Sequence, residues 1–286
     1  MKPIRISLII PFILCAQALA ESSVWKAEKE GSILYLGGTC HLLRASDFPL
    51  PPEFETAYRA ADSLIFETDI GKMKDPDFQM QLMTQATYTD GSTLADHLSA
   101  PVYNKLNQYC SEQQIPLAML STFKPSLVGI FILTTELSKL GVTQEGADHF
   151  LYAKAKSENK TVRGLETLQQ QLQFIVNMGK GKEDAMILQM LDDVHTIKQD
   201  YEEIVGAWKS GNTNSLNQLM NLKIKETYPE IYKELIVDRN HNWFPVIDAC
   251  QKTPETEFIL VGAAHLVGPD SLIEMLKKSG YTVEKL

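Results

Sequence analysis

Two short stretches decide how this chain is read: Leu36-Gly37-Gly38-Thr39-Cys40-His41-Leu42 near the start, and Val261-Gly262-Ala263-Ala264-His265-Leu266 near the end. Each follows an apolar run, Ser32–Leu36 in one case and Glu257–Val261 in the other. Short continuous apolar runs of this kind suit strands buried on both faces of a parallel sheet. Glycine lets the backbone leave such a strand sharply, and three residues later an imidazole can turn back over the sheet edge.

The segments after both stretches match as well. Behind the first comes a helix beginning at Pro52, where helices tolerate proline, and then a second apolar run, Ser63-Leu64-Ile65-Phe66-Glu67-Thr68. Behind the second, Asp270 can cap a helix over residues 271–278, Gly280 closes it, and residues 281–286 alternate as a strand. The economical reading is an internal duplication of a βαβ-like half. Between the halves the chain is mostly helical. Apolar residues Ile187, Leu188, Leu191, Val194, Tyr201, Ile204 and Trp208 make one long helical stripe. Residues 80–89, 125–140, 149–157 and 168–178 also read as helix, with one short strand over 161–166. The expected fold class is therefore α/β (α+β): a mixed or parallel central sheet from two halves, about 30–70 and 256–286, around a helical middle of about 75–250.

The first twenty residues read as a signal peptide: Lys2 and Arg5, an apolar run from Ile6 to Leu14, then Ala18-Leu19-Ala20 as a small-x-small cleavage site. Leu14 stands where a lipoprotein would place a small residue before Cys15. The mature chain is expected to be residues 21–286, one domain, exported to the periplasm or secreted. Losing Lys2 and Arg5 takes the formal charge from −9 to −11. So acidic a chain lacks the basic footprint of a nucleic-acid binder. No later segment has the roughly twenty apolar residues that cross a bilayer, so an integral membrane protein is not expected. Cys40, Cys110 and Cys250 remain, an odd number; Cys110 and Cys250 are expected as a buried or bridged pair.

Functional groups in a parallel sheet collect at the carboxyl ends of strands. His41 and His265 sit there, and two imidazoles meeting at one point are what a metal site needs. Glu67 ends the strand after the first helix, on the same edge, and a carboxylate closing a buried strand needs a partner. Asp69 follows two positions later, and Glu166 ends the middle strand in the same way. Nothing supports a serine triad, a His-Glu-x-x-His zinc helix or a phosphate-binding glycine loop. Cys40 is read as a small hydrophobe behind its loop.

On these pieces the chain resembles the TraB/GumN family, related to the Tiki proteases and more distantly to erythromycin-esterase-like proteins. The matching segments are Leu36 to Leu42, Phe66-Glu67-Thr68-Asp69, Arg163-Gly164-Leu165-Glu166-Thr167 with Gln171, Asp238-Arg239-Asn240-His241-Asn242-Trp243, and Val261 to Gly268. The resemblance implies a Tiki-like metal-dependent peptidase with His41, His265 and Glu67 at its centre. Arg239 and Asn240 would then contact substrate or brace the site. His41 and His265 would ligate a divalent cation, with Glu67 as third ligand or general base; manganese or cobalt is implied ahead of zinc. The substrate would be a peptide or a small amide or ester. Two rivals stay open: metal-free hydrolysis with a histidine as base, and a non-catalytic protein that sequesters a peptide.

Overall fold

The computed structural model describes residues 22–286, so the signal-peptide reading lies outside the described residues. A hairpin comes first: β1 (Val24–Lys29) runs antiparallel to β2 (Ser32–Thr39). Its two-residue turn, Glu30-Gly31, holds φ values of 53° and 84°, the left-handed pair whose twist suits a tight hairpin. The sequence reading began at Ser32 and passed over β1.

The chain continues through β3 (Leu43–Arg44), α1 (Pro52–Ala60) and β4 (Ser63–Phe66). Next come α2 (Ala100–Glu112), α3 (Pro125–Lys139), β5 (Val142–Thr143), α4 (Ala147–Ser157) and β6 (Thr161–Gly164). The long helices of the middle are α5 (Leu168–Asn177) and α6 (Glu183–Lys209), followed by α7 (Asp238–Ala249). The second half closes with β7 (Glu257–Gly262), α8 (Leu272–Lys278) and β8 (Thr282–Lys285). Ser271, rather than Asp270, caps α8, accepting from the Glu274 N–H.

The main sheet has the order β6-β4-β7-β2-β1-β8. The pairs β2/β7, β7/β4 and β4/β6 are parallel, and β1 is antiparallel to both its neighbours. This is the expected mixed α/β sheet. The first half is split, however: β7 inserts between β2 and β4 instead of standing beside its own half. Nor are the two glycines level, because Gly38 lies opposite Val261 and Thr39 opposite Gly262.

Every residue of β4 and β7 is buried, as their unbroken apolar runs imply. Alternation then sends side chains into two layers. Phe258 and Leu260 pack with Phe54, Tyr58 and Trp208 on one face; Ile259 and Val261 pack with Trp243, Ile247 and Leu276 on the other. Burying each large side chain contributes roughly 1.5–3 kcal/mol. Trp208 also donates its indole N–H to the Gly38 carbonyl at 2.6 Å, pinning the end of α6 to the end of β2.

A third apolar cluster joins α2, α3 and α6 through Leu106, Val128, Ile132, Ile187 and Leu191. Cys110 lies in this cluster and Cys250 in the layer beneath α7 and α8. All three described cysteines are buried and free, so the bridged form of the Cys110–Cys250 expectation is corrected. Distance between separate cores is the reason. Among the described residues no helix is long and apolar enough to cross a membrane.

Candidate active site

The strands β4, β7 and β2 are consecutive and parallel, so their carboxyl ends share one edge. Glu67 follows β4 directly, His41 lies two residues past β2, and His265 lies in a 3-10 turn, Ala263–Leu266, that leaves β7. The Gly262 N–H donates to Glu67 Oε1 at 2.7 Å, and His41 Nε2 stands 3.7 Å from the same oxygen. A Cβ placed on Gly262 would lie 3.2 Å from His41 Nε2, 3.4 Å from Glu67 Oε1 and 3.7 Å from His265 Cδ2. The absent side chain leaves a methyl-sized cradle ringed by the three side chains.

Both imidazoles are braced from behind. His41 Nδ1 stands 3.0 Å from Asp148 Oδ2, and His265 Nδ1 is 2.7 Å from Asn240 Oδ1. Asn240 donates its Nδ2 to the Asp270 carbonyl at 2.8 Å, which fixes its Oδ1 toward the ring. Each Nδ1 therefore donates and each Nε2 is left free; His41 turns its Nε2 to the cradle, while His265 lines it with Cδ2. This is the arrangement that orients metal-ligating or proton-carrying histidines.

Asp148 was not picked out from the sequence. Its reach depends on Gly146, where a Cβ would sit 2.3 Å from the His41 carbonyl. Only glycine lets the start of α4 come that close, and Ala147 N–H then donates to the Cys40 carbonyl at 2.9 Å. No local pattern links residues 40–41 with 146–148; the contact is a product of the tertiary fold.

Arg239, in the first turn of α7, binds the site from below. It donates to Glu67 Oε2 at 2.7 Å, to Gln171 Oε1 at 3.2 Å and to Glu166. Its guanidinium is sandwiched between Phe174 and Trp243, 4.5 and 4.4 Å from their ring centres, stacking that favours a cation. Trp243 in turn packs its ring 4.5 Å from that of His265. Arg239 thus ties together the ends of β4 and β6 and the start of α5, and Glu166 reaches the centre through it. Asn240 meets the centre through His265.

Asp69 is not brought to this point. The strand ends at Phe66, so alternation does not extend to residue 69; Asp69 instead caps a helical turn and accepts from Tyr152. His241 contacts its own helix at the Val237 carbonyl. His97 stacks on Tyr88, and His195 is exposed on α6.

The charges follow from these contacts. Burial opposes ionisation of Glu67, but Arg239, the two histidines and the Gly262 N–H overcome it and hold the carboxyl well below the usual range. Burial pushes His265 down to about 3, so its ring is neutral. For His41 desolvation pulls downward, yet Asp148 and Glu67 carry it up to about 9. Half of the His41 side chain remains open to the cleft. Burial raises the Cys40 thiol, and the residue packs within the apolar layer, as its reading as a small hydrophobe implied.

Two cavities, of about 300 and about 490 Å³, meet at this centre and share Thr39, His41, Leu42 and Glu67 in their walls. The protein is of a definite kind: a mixed α/β fold presenting two braced histidines and an arginine-held glutamate at the carboxyl edge of its sheet. The chain belongs to the TraB/PrgY/gumN family, whose pattern matches residues 23–285. It is similar to metalloprotease TIKI1 of Xenopus tropicalis, with 21% identity over 322 residues that cover 93% of this chain and 62% of that protein. The chain therefore spans less than two thirds of that relative's length. No solved structure matches it.

Proposed function

We propose that this protein is a metal-dependent peptide hydrolase. The observation that carries the reading is the Gly262 cradle, walled by Nε2 of His41, the ring edge of His265 and a carboxylate, with both imidazoles braced at Nδ1. Among the described residues no three His, Cys, Asp or Glu side chains are already grouped as a metal centre; the donors ring the cradle rather than meet at bond length. Their chemistry nonetheless fits a divalent cation. His265 is neutral, His41 would release its Nε2 proton on taking up the ion, each Nδ1 is occupied, and each Glu67 oxygen accepts one hydrogen bond and keeps a lone pair. His41, His265 and Glu67 would hold the ion, and imidazole with carboxylate suits manganese, cobalt or zinc. Such an ion supplies Lewis acidity, acidifying water and polarising a carbonyl.

The chain's own residues do the rest. Glu67 Oε1 is the acceptor at the cradle for the proton of an attacking water. Because Arg239 holds this carboxylate in its ionised form, a proton placed there is readily passed to a leaving amine. Arg239 keeps Glu67 in place throughout, and Asp148 and Asn240 keep the rings aimed.

One observation favours a second reading. The environments push the two histidines apart, His41 toward the charged form and His265 toward the neutral form, which is how acid and base pairs are built. In a metal-free hydrolase His41 would donate and His265 accept.

The test is cleavage of a mixed peptide library by wild type and Glu67→Gln, each before and after chelation and after return of manganese, cobalt or zinc. The amide cannot take the proton, so turnover should fall by roughly 10²–10⁴-fold while binding persists. Activity that survives exhaustive chelation and vanishes in His41→Ala would move the assignment to the metal-free hydrolase. Absence of cleavage under every metal would leave a peptide-sequestering protein. We also propose that the protein lies outside the cytoplasm and begins at Glu21 after cleavage, on the charge, apolar run and Ala-Leu-Ala site of residues 2–20; recovery of the chain from the cytoplasm with Met1 still in place would refute this.

A further inference from the structure

The two cavities at the centre differ in character. The smaller has a mixed wall, in which Lys74, Gln144 and Gln171 stand beside Phe66, Ile70 and Met73. The larger opens between α3, α6 and a π-helical stretch, Asn217–Leu222, and its wall is apolar: Leu133, Ile197, Ile204, Met220 and Ile224. Those five residues are only partly buried, and Leu133 is 37% exposed. The volume is that of a ligand site. Water-facing apolar surface in a concavity of this size gains from being covered.

What covers it is set by continuity with the centre. His41 and Glu67 belong to both walls, so a chain reacting at the cradle can send one flank into the mixed arm and the other into the apolar lobe. A small amide or ester would fill at most one of the two arms, whereas an extended chain spans both. The lobe also carries a carboxylate, Asp200, which accepts from the Thr196 hydroxyl at 2.7 Å and, among the described residues, is in no ion pair. The neighbouring Asp193 is already matched by Lys223 at 3.3 Å.

We infer that the substrate is an extended peptide crossing the centre, with a large apolar side chain seated in the lobe and a cationic group beside it at Asp200. The inference names the substrate class of the proposed hydrolase, but it concerns binding and can be read without turnover.

The experiment uses the full chain carrying Glu67→Gln and dye-labelled octapeptides of glycine and serine. One probe contains Phe-Lys; the others replace Phe with Ser, or Lys with Glu. Fluorescence anisotropy should show the Phe-Lys probe binding roughly tenfold to a hundredfold more tightly than its Ser partner, the yield of burying an aromatic side chain. Leu133→Glu and Ile224→Gln, both at partly exposed sites, should erase that difference with an unchanged melting temperature. Asp200→Asn should narrow the preference for Lys over Glu. Equal binding of the Phe and Ser probes, no binding of either, or a Phe preference untouched by both lobe variants overturns the inference. Wild-type turnover separates it from the hydrolase reading. Selective binding without cleavage keeps the lobe and sinks the hydrolase, whereas equal cleavage of both probes does the reverse.

Discussion

The main-chain N–H of Gly262 donates to Oε1 of Glu67 at 2.7 Å, so the carboxylate that ends β4 is held by the strand beside it, 195 residues later in the chain. The same glycine leaves open the space that His41 and Glu67 face. Its backbone, at φ −52° and ψ 137°, suits any L-residue. Gly262→Ala should therefore fold and keep the hydrogen bond, while the new methyl fills the cradle at 3.2 Å from His41 Nε2. We expect hydrolysis to drop by about 10²-fold or more, the scale of an ångström's misplacement. Isothermal titration with manganese on the same variant should show weakened binding. Full activity in Gly262→Ala would remove the cradle from the mechanism.

Asp148 and Asn240 act on the centre only through the rings they hold. Asp148→Asn and Asn240→Ala should each lower metal affinity or turnover by roughly 10–100-fold, as loss of such bracing does. Asp69→Asn should leave both unchanged, since Asp69 faces Tyr152 and Lys72 instead of the cradle. Parallel titrations of the three variants decide this; an Asp69 variant as impaired as the other two would contradict the assignment.

Arg239 neutralises two carboxylates whose side chains are only 13% and 11% exposed, Glu67 and Glu166. Arg239→Met leaves both charges unpaired, and breaking a buried pair in this way costs about 3–5 kcal/mol. Arg239→Lys should recover only part, because an ammonium lacks the planar fork and the stacking between Phe174 and Trp243. Urea unfolding of both variants and of Arg239→Met with Glu166→Gln checks the order, with the double variant more stable than Arg239→Met alone.

Away from the centre, Asp47 is buried among Tyr201, Arg44 and Lys209. Burial opposes its charge, but the Tyr201 hydroxyl and the Arg44 N–H and guanidinium win and hold the carboxyl below its ordinary value of 3.8. A group lowered in the folded state stabilises above its unfolded pKa and loses that contribution as pH falls through the folded one. Wild type should thus lose melting temperature steeply below about pH 4, and Asp47→Asn should start lower but fall less. Parallel slopes in the two melting curves would rule Asp47 out as an acid-labile support.

How far these features can be read without coordinates depends on how local they are. His41, Glu67 and His265 were legible because each follows an apolar strand, and strand ends in a parallel sheet share an edge. Glu166 was legible because it follows β6, a strand parallel to β4 whose end lies on the same edge. Asp69 was over-read, since period two holds only while the strand lasts and β4 stops at Phe66. The hairpin strand β1 did leave a signal, Val24 to Lys29 before Glu30-Gly31, outside the strand reading that begins at Ser32. Asp148 left none. Its role is set by a backbone approach at Gly146 to a residue 105 positions earlier, His41, and by nothing in its neighbours.

The insertion of β7 between β2 and β4 has a bearing on timing. While the chain emerges from the ribosome, its first 250 residues can supply His41 and Glu67, but the strand that brings them into register, and the second histidine itself, are still unmade. Until then β2 and β4 each expose an unpaired edge, a slow and exposed stage for any non-local parallel pairing. A chain without β7 therefore lacks the complete centre. Under the hydrolase reading proposed above, activity waits until β7 and His265 have been made.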